Sequence, residues 1–191
     1  MKQIVLGSES PRRRELLGGM GVPFRAVSIH ADESFPPELQ GGDIPLYISR
    51  AKAEAYRSRL TPDELLITAD TIVWVEGEQL GKPADAEDAK RMLRLLSGRT
   101  HQVYTGVTLT SLDRQTAFVD TTDVTFRPLT EEEINHYVEV YQPLDKAGAY
   151  GIQEWIGYVA CTALHGSYFN VMGLPTERLW QQLTNEWNYT L

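Results

Sequence analysis

Short apolar runs alternate with polar turns along this chain, and the period of each run predicts its element. Gln3 to Gly7 predicts a buried strand. Ser10-Pro11 then offers a helix start, Ser as N-cap and Pro at the first helical position, with the helix running through RRRELL to Gly18-Gly19. FRAVSI, residues 24–29, predicts a second strand, followed by the acidic, Pro-containing loop HADESFPPELQGGD. A helix is expected from Pro45 to Arg59, with Leu46, Ile48, Ala51, Ala53 and Ala55 on a mostly buried face. LLITADTIVWVEGEQL predicts a strand, a break around Asp70-Thr71, and a hairpin turning at Glu76-Gly77.

After GKPAD comes an amphipathic helix from Asp85 to Ser97, closed by Gly98. HQVYTGVTLTS and TAFVDTTDVTFRPL alternate with period two and are joined at Leu112-Asp113-Arg114, the pattern of an antiparallel pair. Thr130 and Glu133 form a capping box for a helix reaching Val140. YVACTALHG is a further strand candidate and LPTERLWQQLTNEW a final helix. The tail NEWNYTL carries Trp187 and Tyr189, which fit a packing segment or a dimer contact. Strands interleave with helices while hairpins also occur, without repeats or a clear linker. The expected class is therefore α/β, a mixed sheet with helices on its faces, in a single domain over residues 1–191.

Composition narrows the partners. The chain has 191 residues, 42% of them hydrophobic, enough for one domain with a substantial core. With 26 acidic against 18 basic residues the net charge is -8, which argues against a broad nucleic-acid or anionic-membrane face. Any basic cluster must be local. No apolar run approaches the roughly 20 residues of a membrane span, and MKQIVLGSESPRRR lacks the longer apolar region of a secretory signal. A cytoplasmic protein without nucleic-acid or membrane partners is expected. Cys161 stands alone, which excludes an internal disulfide and predicts a small buried hydrophobe.

Against that acidic background, Arg12, Arg13 and Arg14 sit in the first turn of the first helix. Free backbone N–H groups at a helix start attract anions, and cations there cost a few tenths to about 1 kcal/mol each unless an anion intervenes. The segment is either an anion site or a solvated basic turn. Asp70, at the end of an apolar strand and followed by Thr71, suits a metal-binding or proton-accepting carboxylate, or a turn capping its own backbone. Lys82, between Gly81 and Pro83, is aimed outward. DKAGAYGIQ, residues 145–153, is rich in Gly and small residues that let backbone approach a ligand closely. Gln153 at its end both donates and accepts, as reading a planar base requires. No phosphate loop, dinucleotide fingerprint or zinc spacing is present, and His30, His101, His136 and His165 are scattered without ligand spacing.

Taken in order, SESPRRRELL, DES, AKAEA, ADTIV, GKP, MLRLLSGRTHQVYTGV, DKAGAYGIQ and GSYFNVMGLP resemble the Maf family of nucleoside triphosphate pyrophosphatases. Ser-Pro-Arg-Arg, Ala-Asp-Thr and Gly-Ile-Gln look like the branch acting on dTTP and UTP; a related branch acts on 7-methyl-GTP, and the family is also linked with inhibition of septum formation. The resemblance implies hydrolysis between the α and β phosphates. It implies a fold like that of the inosine triphosphatases, a mixed twisted sheet flanked by helices with two lobes around a cleft. Carried over by position, Asp70 is the proton acceptor, Arg12, Thr71 and Gln153 govern base choice, and Ser8, Arg13, Lys52 and Lys82 surround the phosphates. Glu33, with Asp70, suits a divalent cation, Mg2+ or Mn2+. A homodimer is implied as well.

Overall fold

The computed structural model describes residues 2–190. The chain divides into two compact units: one takes the chain up to Asp70, Thr105–Asp120 and the chain from Gly173 onward, and the other Thr71–Tyr104 and Thr121–Met172.

In the first unit, strand β1 (Gln3–Gly7) lies parallel to β2 (Phe24–Val27) and to β3 (Glu64–Val75), whose first half belongs here. The β1–β3 ladder runs from Gln3↔Glu64 to Gly7↔Thr68. Helix α1 (Pro11–Gly19) follows β1: the Ser10 hydroxyl accepts the Arg13 backbone N–H, Pro11 needs no hydrogen-bond partner for its nitrogen, and Leu16 and Leu17 face inward. Helix α2 spans Asp43–Arg57 and starts two residues before the expected Pro45, because Gly42 and Asp43 already supply a workable first turn. Its buried positions are Ile44, Pro45, Ile48, Ser49, Ala53 and Tyr56; Leu46 and Ala51 are half-buried and Ala55 is exposed, so the predicted apolar face was rotated.

The expected break at Asp70-Thr71 is absent. β3 continues through it to Val75, since the apolar run on both sides keeps the ladder going. It then turns back into β4 (Glu78–Leu80) through Glu76 and Gly77, both with positive φ, 50° and 84°, as a two-residue type I′ hairpin requires.

The second unit holds helix α3 (Ala86–Leu96), N-capped by Asp85, and helix α4 (Glu131–Tyr141), with the capping box between Thr130 and Glu133 in place. Both pack into a cluster containing Val73, Leu80, Met92, Leu93, Phe126, Ile134 and Tyr137. Strands β5 (Thr100–Thr110) and β6 (Gln115–Phe126) are neighbours in the sheet. Side-chain bonds Thr100–Thr125 and Gln102–Asp123 step in opposite directions along the two strands, as an antiparallel pair must. The segment read as one strand from Tyr158 divides: α5 (Trp155–Ala160) is helical and only β7 (Cys161–His165) pairs, antiparallel to β6. β-branched and aromatic residues there favour a strand locally, but a tight turn over Gly151–Glu154 launches a helix instead. The short helix α6 (Tyr168–Met172) follows and ends this unit, while α7 (Thr176–Gln181), which ends in a π-turn over Gln182–Glu186, belongs to the first. Cys161 is half-buried, where a fully buried hydrophobe was expected.

Among the described residues the sheet has seven strands in the order β2-β1-β3-β5-β6-β7, with β4 on β3; it is mixed and flanked by helices, as expected.

Candidate active site

In the first unit the site forms at the carboxyl end of β1, where its parallel ladder with β3 stops while β3 itself runs on. β1 stops at Gly7, paired with Thr68, so Asp70 lies just past the last β1 partner while Ser8 leads directly into α1. Ligands of α/β sheets sit outside the carboxyl ends of parallel strands, where loops and helix starts converge.

Helix α2 supplies the opposing charge. The Lys52 ammonium lies 2.8 Å from Asp70 Oδ1 and 2.9 Å from Glu33 Oε1, joining the middle of β3 and an acidic loop through one cation. Lys52 and Asp70 are nearly enclosed, their side chains 12% and 14% exposed, whereas Glu33 at 57% is the exposed partner of the trio.

The register of that contact is set one turn away. Ser49 precedes Lys52 by three helical positions and Thr68 precedes Asp70 by two strand positions, so each pair shares a face. The Ser49 hydroxyl is 2.8 Å from that of Thr108, and the Thr68 hydroxyl donates to the Ser49 carbonyl at 2.7 Å. All three side chains are fully buried, where paired hydroxyls hold and unpaired ones are costly.

Arg13 completes the cluster. Its Nε donates to the Gly173 carbonyl at 2.8 Å and its Nη1 sits 3.5 Å from the buried Ser8 hydroxyl, which also accepts the Ser10 backbone N–H at 3.2 Å. Burial pulls the Arg13 guanidinium below its usual pKa; Asp70 pushes it back up, Arg12 lowers it further and Glu33 raises it. A guanidinium in this position gains from any additional anion. Arg14 is exposed, its Nη2 3.5 Å from the Ser8 carbonyl.

The first unit thus brings together Ser8, Arg12, Arg13, Glu33, Lys52 and Asp70. Thr71, Lys82 and Gln153 belong to the second unit. Lys82 is exposed on the turn after β4, and the neighbouring Gly81 carbonyl accepts the Gly148 N–H at 3.1 Å, tying that turn to the 145–153 loop. The Gln153 Oε1 is buried without a hydrogen-bond partner in the protein. An acceptor in that state waits for a donor.

A model of the family described as Maf-like protein matches residues 3–186. The chain belongs to the Maf family. Its Maf relatives include a dTTP/UTP pyrophosphatase of Bacteroides thetaiotaomicron, 56% identical over 95% of this chain and 94% of the relative. A dTTP/UTP pyrophosphatase of Bacteroides fragilis is 57% identical over the same shares, and one of Porphyromonas gingivalis is 53% identical over 95% of this chain and 92% of its own. A solved nucleoside-triphosphatase / dITP/XTP pyrophosphatase from Mycobacterium abscessus is 14% identical over 72% of this chain and 94% of its own, with a TM-score of 0.40, too low to bear on fold or function.

The divalent cation expected from the Maf resemblance meets a suitable donor set. Asp70 and Glu33 already converge on one cationic point, the Lys52 ammonium, with hard oxygen donors only. No group of three or more His, Cys, Asp or Glu gathers among the described residues. Mg2+ is often held by one or two carboxylates plus substrate phosphates, so two carboxylates suffice.

Three residues of the second unit escaped the sequence reading: Tyr137, Lys146 and Glu154. Lys146 stood in plain view between Asp145 and Ala147 of the small-residue loop, and its burial beside two carboxylates is what marks it.

Proposed function

We propose that this protein hydrolyses dTTP and UTP to the nucleoside monophosphate and pyrophosphate. The observation that carries the reading is the convergence of Arg13, Lys52, Asp70 and Glu33 where the parallel β1–β3 ladder ends, in a chain more than half identical to dTTP/UTP pyrophosphatases over nearly its whole length.

A nucleoside triphosphate carries close to four negative charges, and a protein of net charge -8 needs a concentrated basic patch to receive it. Arg13, fixed at Nε by Gly173, presents its remaining guanidinium N–H groups to phosphate oxygens in a planar fork. Arg12 adds charge beside it, and Ser8 donates its hydroxyl proton. Lys82 contributes a mobile point charge, and Lys52 a fixed one. Lys52 also holds Asp70 at Oδ1, which orients Oδ2 to accept a proton from the water that attacks the α-phosphorus in line. A divalent cation bound by Asp70 and Glu33 supplies charge neutralisation at the phosphates. Gln153 donates to O4 and accepts from N3–H of uracil or thymine, with Thr71 and Arg12 supporting base choice; cytosine presents the opposite pattern at N3 and N4. A cytoplasmic homodimer belongs to the same reading, by resemblance to the family. Size-exclusion chromatography with light scattering tests the dimer.

The decisive experiment incubates purified protein with Mg2+ or Mn2+ and dTTP, UTP, CTP, 7-methyl-GTP or ITP, and resolves products by ion exchange. Monophosphate and pyrophosphate from dTTP and UTP are expected. Asp70→Asn should lower kcat by about 10²-fold or more, the scale of a lost general base. Cleavage confined to 7-methyl-GTP or ITP would overturn the pyrimidine assignment, and no turnover at all would overturn the enzymatic one in favour of a nucleotide-binding regulator.

A further inference from the structure

Tyr137 is fully buried on α4, and its ring stacks on Tyr141 at 5.1 Å. Its hydroxyl accepts the Gly151 backbone N–H at 3.0 Å and donates to Glu154 Oε2. The other Glu154 oxygen lies 3.1 Å from the Lys146 ammonium, which also binds Asp145 at 2.8 Å. With two carboxylates on it and its side chain only 10% exposed, Lys146 is committed to the protein rather than to a phosphate.

These bonds grip a turn at both ends. Gly151 and Glu154 are joined by a backbone bond of 3.0 Å from Glu154 N–H to the Gly151 carbonyl, and Tyr137 reaches the amide of the first and the carboxylate of the second. Gln153 lies inside that turn. There is little slack, since a Cβ on Gly151 would approach Gln153 Nε2, Glu154 Cδ and Lys146 Cε, each at 3.1 Å. Gln153 Oε1 is buried here without a hydrogen-bond partner in the protein. A long amide side chain discriminates donors from acceptors only if its orientation is held, because a freely rotating amide offers either end.

We propose that Tyr137, Glu154 and Lys146 are positioning residues for pyrimidine discrimination, holding the 151–154 turn so that Gln153 presents a fixed acceptor to the N3–H of uracil or thymine. The inference rests on the reading of this protein as a dTTP/UTP pyrophosphatase.

The test compares kcat and KM for UTP and CTP in the unmodified protein, Tyr137→Phe and Glu154→Gln. Tyr137→Phe keeps the ring and removes both bonds of the hydroxyl. The ratio of kcat/KM for UTP to that for CTP should fall roughly tenfold, chiefly through a raised KM for UTP with kcat little changed. Glu154→Gln keeps an acceptor for Tyr137 but removes the charge opposite Lys146, and should move the ratio the same way by a smaller factor. A merely structural role would lower the melting temperature and leave the ratio unchanged in both variants, which would overturn the inference, as would equal losses on both nucleotides. If Tyr137→Phe does not fold, the ratio in Glu154→Gln decides. An unmodified protein that does not prefer UTP to CTP would overturn the parent reading and this inference together; an intact preference that neither variant alters sinks only the inference.

Discussion

Lys52 shows how one side chain changes meaning once its neighbours are known. As a letter in AKAEA it is a helix-surface lysine, yet it closes the contact between Asp70 and Glu33. His101 is the converse, a histidine with a structural use. It is fully buried, its Nε2 is 2.7 Å from the Tyr150 hydroxyl, and the rings of Phe126 and Tyr150 meet it edge-on. Burial drives its pKa down to about 3, against about 6.5 in an unfolded chain. Above the unfolded value the imidazole is neutral in both states and its contribution to stability is intact. As pH falls from about 6.5 toward about 3, the unfolded chain takes up a proton that the folded one refuses, and stability declines by up to about 1.4 kcal/mol per pH unit. Urea unfolding across that window should show a shallower acid decline in His101→Leu than in the parent, whatever the change in absolute stability. Equal slopes would refute this account. The residue types of the site were legible as single letters, the arginines from their helix start and Gln153 from its small-residue loop, whereas Asp70 was singled out by an expected strand end that β3 does not have. Tyr137 and Glu154 were not, because a buried hydroxyl or carboxylate acquires a role only through the groups that fold against it.

Elements with strong local signals formed where the chain pattern placed them. Ser10-Pro11 begins α1, Asp85 caps α3, and Thr130 with Glu133 opens α4. The Arg127 guanidinium and the Thr130 amide hold the Glu133 carboxyl down at about 2, so this cap persists into acid. What local pattern missed was long-range. β3 runs unbroken through Asp70-Thr71, and α2 is rotated relative to its predicted face so that Ser49, not Ala55, turns inward. The rotation follows from Gly106 on β5, where α2 approaches so closely that a Cβ would come within 2.4 Å of the Leu46 nitrogen and 2.5 Å of the Pro45 carbonyl. Backbone atoms cannot swing aside. Gly106→Ala should therefore cost about 1–3 kcal/mol in urea unfolding and push α2 outward. Because α2 carries Lys52, kcat for UTP should fall with it. A variant with parental stability and kcat would show that the helix is not seated by this contact.

At the scale of the molecule, net charge and local charge pull in opposite directions. A chain of charge -8 repels a triphosphate at long range, while on the proposed function the arginines Arg12 and Arg13 and the ammonium of Lys52 in the first unit would attract it at short range. Screening decides which dominates, since the Debye length is about 10 Å at 0.1 M salt and three times longer at 0.01 M. If the local patch governs, KM for UTP should rise severalfold as NaCl goes from about 20 to about 200 mM; a falling KM would mean that the acidic whole governs encounter. At the far end of the chain, Trp187 and Tyr189 resolve into packing: the Trp187 indole donates to Thr116 at 2.9 Å under the Arg114 guanidinium, and Tyr189 is buried. The sequence by itself determined the α/β class, the capped helices, the antiparallel β5–β6 pair and the residue types available for phosphate chemistry, because periodicity, caps and turns act over a few neighbouring residues. Only the tertiary structure decided which charges meet, which face of α2 turns inward, and that Tyr137 grips the turn bearing Gln153. Those outcomes depend on close packing and desolvation between segments distant in the chain, and no local propensity encodes them.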